Sequence, residues 1–484
     1  MRPLPSRGGL AGLGAGLLPL IALLAAPAPV RGADAPRPKV KVEVEGVKGE
    51  LRKNVLANLS IEQEKKAKDL DEARIRSLHA QAIDEVSEAL QPFGYYKPVV
   101  QATLTHQGTD WAARYVIDPG PQIKVTRRDL QLAGPGAGDP DFEAVVASFP
   151  LHEGDPLNHL VYEQGKKSLE DCAADHGYLD GTYRENQIRV DLATYTSEVV
   201  LHYESGPRYR YGPVSFEQDF LDPKLLRGYV TFHEGEPISA SELLHFQTEL
   251  SSSNYFQRVE VVPRRDLAQG DRVPIVVTLL PAKRQRFTAG IGYGTDTGPR
   301  ATAGDELRRV NRHGDHALVE GTVSNLERSF HTDYIIPGAY PRTDTLTLTL
   351  AYQNLHTQTS KSESELAGGA YAWSIGRWRQ TFKLNYERTT YTVGSDTGTS
   401  TLVRPQAIWT RVWADDRIYP THGERLEADI GAAQKSLASN ASFFQQHVAG
   451  KFIGSLPGHP FRLISRAEIG YTEVSDHDFH LLPP

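Results

Sequence analysis

The sequence predicts an α+β array of three repeated modules followed by an antiparallel transmembrane β-barrel that is incomplete at its C-terminal end. Three observations predict it. A composite pattern recurs three times between Lys39 and Ala282, and helical periodicity gives way to two-residue alternation from Arg286 onward. The third is an apolar leader after which no run is long enough for a membrane helix, so any membrane crossing falls to a closed set of strands. With 484 residues the chain has room for several domains.

The leader comes first. Arg2 and Arg7 precede an apolar run from Leu10 to Leu24, which breaks into Ala26-Pro27-Ala28. A charged start, a short apolar stretch and small residues at an Ala-x-Ala site describe a secretory signal peptide, assigned to residues 1–33, with cleavage between Ala28 and Ala35. The alternative is a membrane anchor, but Gly and Pro interrupt the run, which is shorter than the ~20 residues of a spanning helix. Export without disulfides follows from the single cysteine, Cys172, so the chain is no small stapled scaffold. Lys+Arg number 53 against 60 Asp+Glu, a net charge of −7 that argues against nucleic acid as a partner.

The modules are expected at 38–121, 122–207 and 208–282. One mark is a helix end with Gly or Asn and an aromatic: Phe93-Gly94-Tyr95-Tyr96, His176-Gly177-Tyr178-Leu179 and Asn254-Tyr255-Phe256. Gly and Asn suit a left-handed C-cap, and the aromatic can close over the module core. A second mark occurs twice, as His152-Glu153-Gly154-Asp155-Pro156 and His233-Glu234-Gly235-Glu236-Pro237. A third sits at the junctions: Gly120-Pro121-Gln122-Ile123 and Gly206-Pro207-Arg208-Tyr209. Between them the order reads strand, helix, helix, strand, strand. In the first module Val40, Val42 and Val44 alternate as a half-buried strand, and Ile75, Leu78, Ile83, Val86 and Leu90 fall at helical spacing. Later helices are expected over Leu157–Asp175 and Ala240–Leu250. This order resembles the POTRA module. Neither His-Glu pair continues as His-Glu-x-x-His, so both read as turns before a helix and not as zinc ligands.

The barrel is expected from 285 to 484. Phe287, Ala289, Ile291 and Tyr293 alternate with polar or small residues, as do Leu346, Leu348, Leu350 and Tyr352, then Leu426, Ala428 and Ile430, then Leu463, Ala467, Ile469 and Tyr471. A soluble β-sandwich also alternates. The length of these strands, the Arg, Glu and Asp on their opposing faces, and the frequent aromatics (Tyr371, Trp373, Trp378, Tyr386, Trp409, Trp413) favour a lipid-facing barrel with a wet lumen.

Two stretches carry a closer resemblance: Gly292-Tyr293-Gly294-Thr295-Asp296-Thr297-Gly298-Pro299-Arg300, and Asp415-Asp416-Arg417-Ile418-Tyr419-Pro420-Thr421-His422-Gly423. Both look like the barrel of the TamA family, the outer-membrane subunit of the translocation and assembly module, within the BamA superfamily. Three modules also favour that family over BamA itself and over two-partner secretion transporters. The resemblance implies an outer-membrane factor that receives and inserts outer-membrane proteins such as autotransporters. It also implies a TamB-like inner-membrane-anchored periplasmic partner, unfolded outer-membrane clients and outer-membrane lipid. Asp415, Arg417, Pro420 and Gly423 are the residues matching the barrel motif. One departure stands out: the family's Val-Arg-Gly-Tyr/Phe loop motif is absent, and Arg227-Gly228-Tyr229 lies in the third module. Together with a count of about eleven strands, where single-chain bacterial barrels have even numbers, this leads us to expect a truncated chain.

No Gly-x-Ser-x-Gly elbow, P-loop or dinucleotide-binding glycine pattern occurs, so no enzyme and no cofactor are expected. Asp476-His477-Asp478 with His480 reads as a polar extracellular loop in preference to a metal site, and Cys172 as core packing. The first barrel strand, with Phe287, Gly290, Ile291, Gly292, Tyr293 and Gly294, is the candidate seam: Gly weakens pairing there, or alternatively only relieves crowding in the lumen. Two other functions remain open on the sequence: a two-partner-type pore exporting a soluble substrate, and a structural adaptor using the modules alone.

Overall fold

The computed structural model describes residues 38–295, 298–416, 418–456, 458 and 461–482. The expected signal peptide lies outside them, as do Asp296, Thr297 and Arg417. The described chain divides into two compact units, the first running to Arg127 and adding Leu151–Tyr162 and Val190–Glu198, the second holding the rest.

The first module contains β1 (Lys39–Glu45), α1 (Gly49–Asn58), α2 (Ser60–Glu64), α3 (Glu72–Leu90), β2 (Val99–Gln107) and β3 (Asp110–Asp118). Its sheet runs β1-β3-β2, with β1 parallel and β2 antiparallel to the central β3. Asp71 caps α3 by accepting from the Arg74 N–H at 2.7 Å. Ile75, Leu78, Ala82, Val86 and Ala89 then face one core with Trp111, Ala113, Tyr115 and Ile117 of β3. Ile83, expected on that face, is 45% exposed, because the stripe follows Ala82.

The second module has β4 (Lys124–Ala133), α4 (Pro140–Ala147), α5 (His159–Asp175), β5 (Thr182–Asp191) and β6 (Thr196–Glu204), in sheet order β4-β6-β5. The third has β7 (Arg210–Glu217), α6 (Pro223–Arg227), α7 (Ala240–Ser252), β8 (Phe256–Pro263) and β9 (Arg272–Pro281), in order β7-β9-β8. Sequence periodicity missed α4 and α6, which are too short for it. Both open on Asp-Pro, with the Asp139 and Asp222 carboxylates accepting from the N–H two residues on. In the third core Tyr211 stacks on Phe232 at 4.0 Å and Phe246 meets Phe232 edge-on at 5.6 Å.

The repeated marks perform repeated tasks. Gly94, Gly177 and Asn254 all have positive φ, at 82°, 87° and 64°. The Gly94 carbonyl accepts from Ile123 N–H, the Gly177 carbonyl from Tyr209, and the Tyr255 carbonyl from Ala282, at 2.9, 2.7 and 2.9 Å. Each His-Glu-Gly turn clamps the strand that begins the module: Gly154 N–H donates to Val125 and Gly235 N–H to Tyr211, both at 2.8 Å. The backbone N–H of His152 and of His233 bonds the acid three residues on, so these are turns, as the missing second His implied.

Eleven strands follow in one antiparallel sheet, neighbours in space being neighbours in sequence. They are β10 (Gln285–Gly294), β11 (Gly298–Leu307), β12 (His316–Ser324), β13 (Glu327–Pro337), β14 (Thr345–His356) and β15 (Ser360–Ile375). The series continues with β16 (Trp378–Val393), β17 (Asp396–Ala414), β18 (His422–Ala433), β19 (Phe443–Ser455) and β20 (Arg462–Val474). The pairing register puts the alternating apolar residues on one face: Ile336, Leu346, Tyr371, Phe382, Ala407 and Ile430 form one row across six strands. The other face carries polar pairs such as Thr349–Asp333 (2.6 Å) and Arg404–Gln445 (3.1 Å). A soluble sandwich would bury its apolar face against a second sheet. Here Leu350, Leu384 and Phe452 are 57%, 50% and 53% exposed. Among the described residues β10 and β20 do not pair with each other, so the barrel is not closed. No described helix is long and apolar enough to cross a membrane.

Candidate functional site: the open first strand and its junction with the third module

All six seam residues lie on β10, which ends the sheet and follows the third module after three residues. Phe287, Ile291 and Tyr293 are 73%, 95% and 78% exposed. The inner side of β10 is in continuous register with β11, from Gln285 opposite Leu307 to Gly294 opposite Gly298. Among the described residues no strand pairs with the outer side, and an unpaired edge is the condition for adding another strand. The glycines of β10 differ in the room around them. A Cβ at Gly292 would meet nothing within 4 Å, whereas one at Gly290 would come within 2.8 Å of the Thr302 hydroxyl. Crowding thus bears on Gly290 and not on Gly292, and both readings of the glycines stand.

Behind this strand the third module is fixed to the sheet's first two inner turns. The Tyr255 hydroxyl donates to the Gly314 carbonyl, and its ring stacks on His316 with centroids 4.7 Å apart. The Asp222 N–H donates to the Arg312 carbonyl at 2.8 Å, and the Arg309 guanidinium lies 4.5 Å over Phe220. Asp315, 7% exposed, accepts from Tyr334 at 2.6 Å and Asn311 at 2.8 Å and so shapes the first turn. Gly228 abuts the second turn: a Cβ there would come within 2.6 Å of Pro341 Cδ and 2.7 Å of the Ala339 carbonyl. Within Arg227-Gly228-Tyr229, Gly228 is thus a docking contact of the third module. Sequence reading assigned this junction no residues; its signal, small and aromatic residues at turn positions, is not separable from ordinary turn chemistry.

The barrel motif builds the turn between β17 and β18. One Asp415 carboxylate oxygen accepts from the N–H groups of Asp416, Thr421 and His422, each at 3.0 Å, and the other from the Thr421 hydroxyl. The Thr421 hydroxyl bond and these N–H donors hold the carboxyl well below its ordinary range. The Pro420 carbonyl accepts from Arg462 Nη1 at 3.2 Å, and Gly423 is the second residue of β18, with its would-be Cβ 3.0 Å from the Trp413 carbonyl. Arg417 falls outside the described residues.

At the opposite end of the sheet the segment after β20 includes the short helix α8 (Asp476–Phe479) and folds back onto the polar face. Leu481 and Leu482 pack on the cluster of Leu402, Ala433 and Ala441, and Tyr391 donates to the His480 carbonyl at 2.8 Å. Asp478 is taken up by Lys435 and by the Ser442 N–H at 3.0 Å. No group of three potential metal-binding side chains exists among the described residues. Cys172 is half-buried, less enclosed than a core position, with its Sγ 3.6 Å from His176 Nδ1.

The α/β modules and the outward-apolar sheet define a class: POTRA-type units leading into a BamA-type membrane barrel sheet. Comparison with known structures gives the same fold. The chain superposes on BamA from Haemophilus ducreyi lacking POTRA domains 1–3 with a TM-score of 0.57 and 13% identity, covering 73% of this chain and 71% of that one. CdiB from Escherichia coli aligns at a TM-score of 0.42 and 13% identity, over 84% of this chain and 78% of the other. More particularly, residues 41–119 match the family described as POTRA domain TamA domain 1.

Proposed function

We propose that this chain is an outer-membrane assembly factor of TamA type, with its modules in the periplasm. It receives unfolded outer-membrane proteins, autotransporters among them, and guides them into the membrane without catalysis, in concert with a TamB-like periplasmic partner. The observation that carries this reading is the glycine-bearing edge of β10, which has no partner strand among the described residues and follows directly on the third module. Strand addition supplies affinity through backbone hydrogen bonds with little demand on side chains, which suits a receiver of many clients. The TamA-type first module and the three-module count support the TamA reading over its relatives.

Cys172 is the only native thiol, so a Cys172→Ser background allows site-directed cross-linking. Thr288→Cys on β10 should trap an autotransporter strand carrying a cysteine, whereas Thr347→Cys in mid-sheet β14 should not. Equal capture at the two positions, or none at Thr288→Cys while clients accumulate unfolded, would overturn the proposal. Release of a soluble polypeptide through the lumen with no capture at β10 would point to a secretion pore instead.

A further inference from the structure

The polar face of the last three strands carries its charges in two rows. Gln445 of β19 lies opposite Thr472 of β20, and stepping by twos from that pair toward the start of β20 keeps to the same face. One row there reads Glu427, Ala449, Glu468 across β18, β19 and β20, and the next reads Arg425, Lys451, Arg466. Together with His447, these charged side chains line a single cleft. Like charges directly opposite one another destabilise a sheet, and the second row sets three cations side by side. Its inner end is relieved: Arg425 Nη2 lies 2.8 Å from Glu427, which also accepts from the Thr410 hydroxyl at 3.3 Å. Lys451 and Arg466 have no acidic partner among the described residues. Glu468 reaches the His447 imidazole at 3.8 Å, and its side chain is 69% exposed. Both rows thus end on β20, at an edge with which no described strand pairs.

A strand laid on that edge either completes the two rows or aggravates them. Strands β18, β19 and β20 pair antiparallel. A further antiparallel strand would set one residue opposite Glu468 and, two residues closer to its own C-terminus, one opposite Arg466. The residue between them would lie opposite Ala467, on the apolar side with Ile469 and Tyr471. Complementarity then asks for a basic, an apolar and an acidic residue in that order.

We propose that the free edge of β20 is a second strand-receiving surface, which selects a client strand with the pattern basic–apolar–acidic in the N-to-C direction. It rests on the reading of the chain as a receiver of outer-membrane strands, and adds to it an edge with a sequence preference. The backbone of β20 supplies affinity, while Glu468 and Arg466 set the register. A slip of two residues puts like charges opposite each other, and a slip of one turns the partner's charges toward lipid.

The test uses the full chain in detergent micelles, with Cys172→Ser and with Thr472→Cys on β20. Two synthetic strands of about ten residues are offered, each with a cysteine placed to fall opposite the new thiol. They have one composition: the first carries Lys-Leu-Glu across from Glu468 and Arg466, the second Glu-Leu-Lys. The first should form the mixed disulfide at least about fivefold faster. Arg466→Gln, which removes only the charge, should narrow that difference, and Arg466→Glu combined with Glu468→Arg should reverse it. Equal rates for the two strands, a faster second strand, or a preference untouched by these substitutions would overturn the proposal. Capture at Thr288→Cys on β10 with none at Thr472→Cys would overturn it and leave β10 as the receiving strand. Capture at neither position would overturn both.

Discussion

At the residue scale the periplasmic groups behave as their surroundings dictate. Burial, reinforced by Asp141, Asp139 and Asp175, pushes the Cys172 thiol up to about 11, so little thiolate exists at neutral pH. Alkylation of the native chain by iodoacetamide at pH 8 should therefore run about tenfold or more slower than that of the urea-unfolded chain. Equal rates would show the thiol to be free. Partial burial holds the His79 imidazole below its ordinary value, with Nδ1 2.9 Å from the Tyr115 hydroxyl. The unfolded chain then binds the proton more readily than the native one. Module stability is fully present above the unfolded pKa of about 6.5 and falls as pH drops from there through the native value. A melting series on the first module's Trp111 fluorescence should show this loss, and His79→Gln should flatten it. Neither environment was legible in the sequence. Helical spacing placed Cys172 on a helix but could not say that its side chain stops half-way into the core.

At the element scale, local chemistry was readable wherever one residue type has one physical use. Gly94, Gly177 and Asn254 had to be left-handed, and the valines of β1 had to alternate. What escaped was short or non-local: α4 and α6 are too brief for periodicity, and the parallel pairing of β1 with β3 leaves no local mark. The junction behind the candidate seam escaped for the same reason, since Tyr255 meets Gly314 and Gly228 meets Pro341 only after folding. It is nonetheless tightly specified. Gly228→Val would drive its side chain into Pro341, a cost of about 1–3 kcal/mol for such overpacking. The third module should then detach from the sheet, seen as new protease cleavage between Pro281 and Gln285 with the sheet core intact. Unchanged cleavage would mean the docking contact is dispensable. Asp415→Ala removes the acceptor for three N–H groups and a hydroxyl at the β17–β18 turn. The folded fraction recovered in membranes should drop, and Asp415→Asn, which keeps one acceptor oxygen, should restore part of it.

At the scale of the whole molecule, the alternation that revealed the barrel also sets its central difficulty. Every strand from β11 to β19 has both edges paired, whereas β10 and β20 each have one edge without a partner among the described residues. Every second residue along the ten of β10 and the thirteen of β20 thus carries outward backbone groups with no partner among the described residues, which hydrocarbon cannot satisfy. The apolar face makes lipid the favourable environment for the sheet, while its two edges make lipid unfavourable until something pairs with them. A receiver of client strands gains from that conflict, because the incoming backbone satisfies the edge. The consequence is measurable by amide exchange on the chain held in detergent. In the central strands β15 and β16, whose registers each extend over sixteen pairs, exchange should be slow. The outward amides of β10 and β20 should exchange orders of magnitude faster, and those of β10 should slow on addition of a client hairpin. Protection of β10 and β20 equal to that of β16 without a client would mean that the two edges are already joined to each other or to another copy, and that β10 is not an open receiving strand.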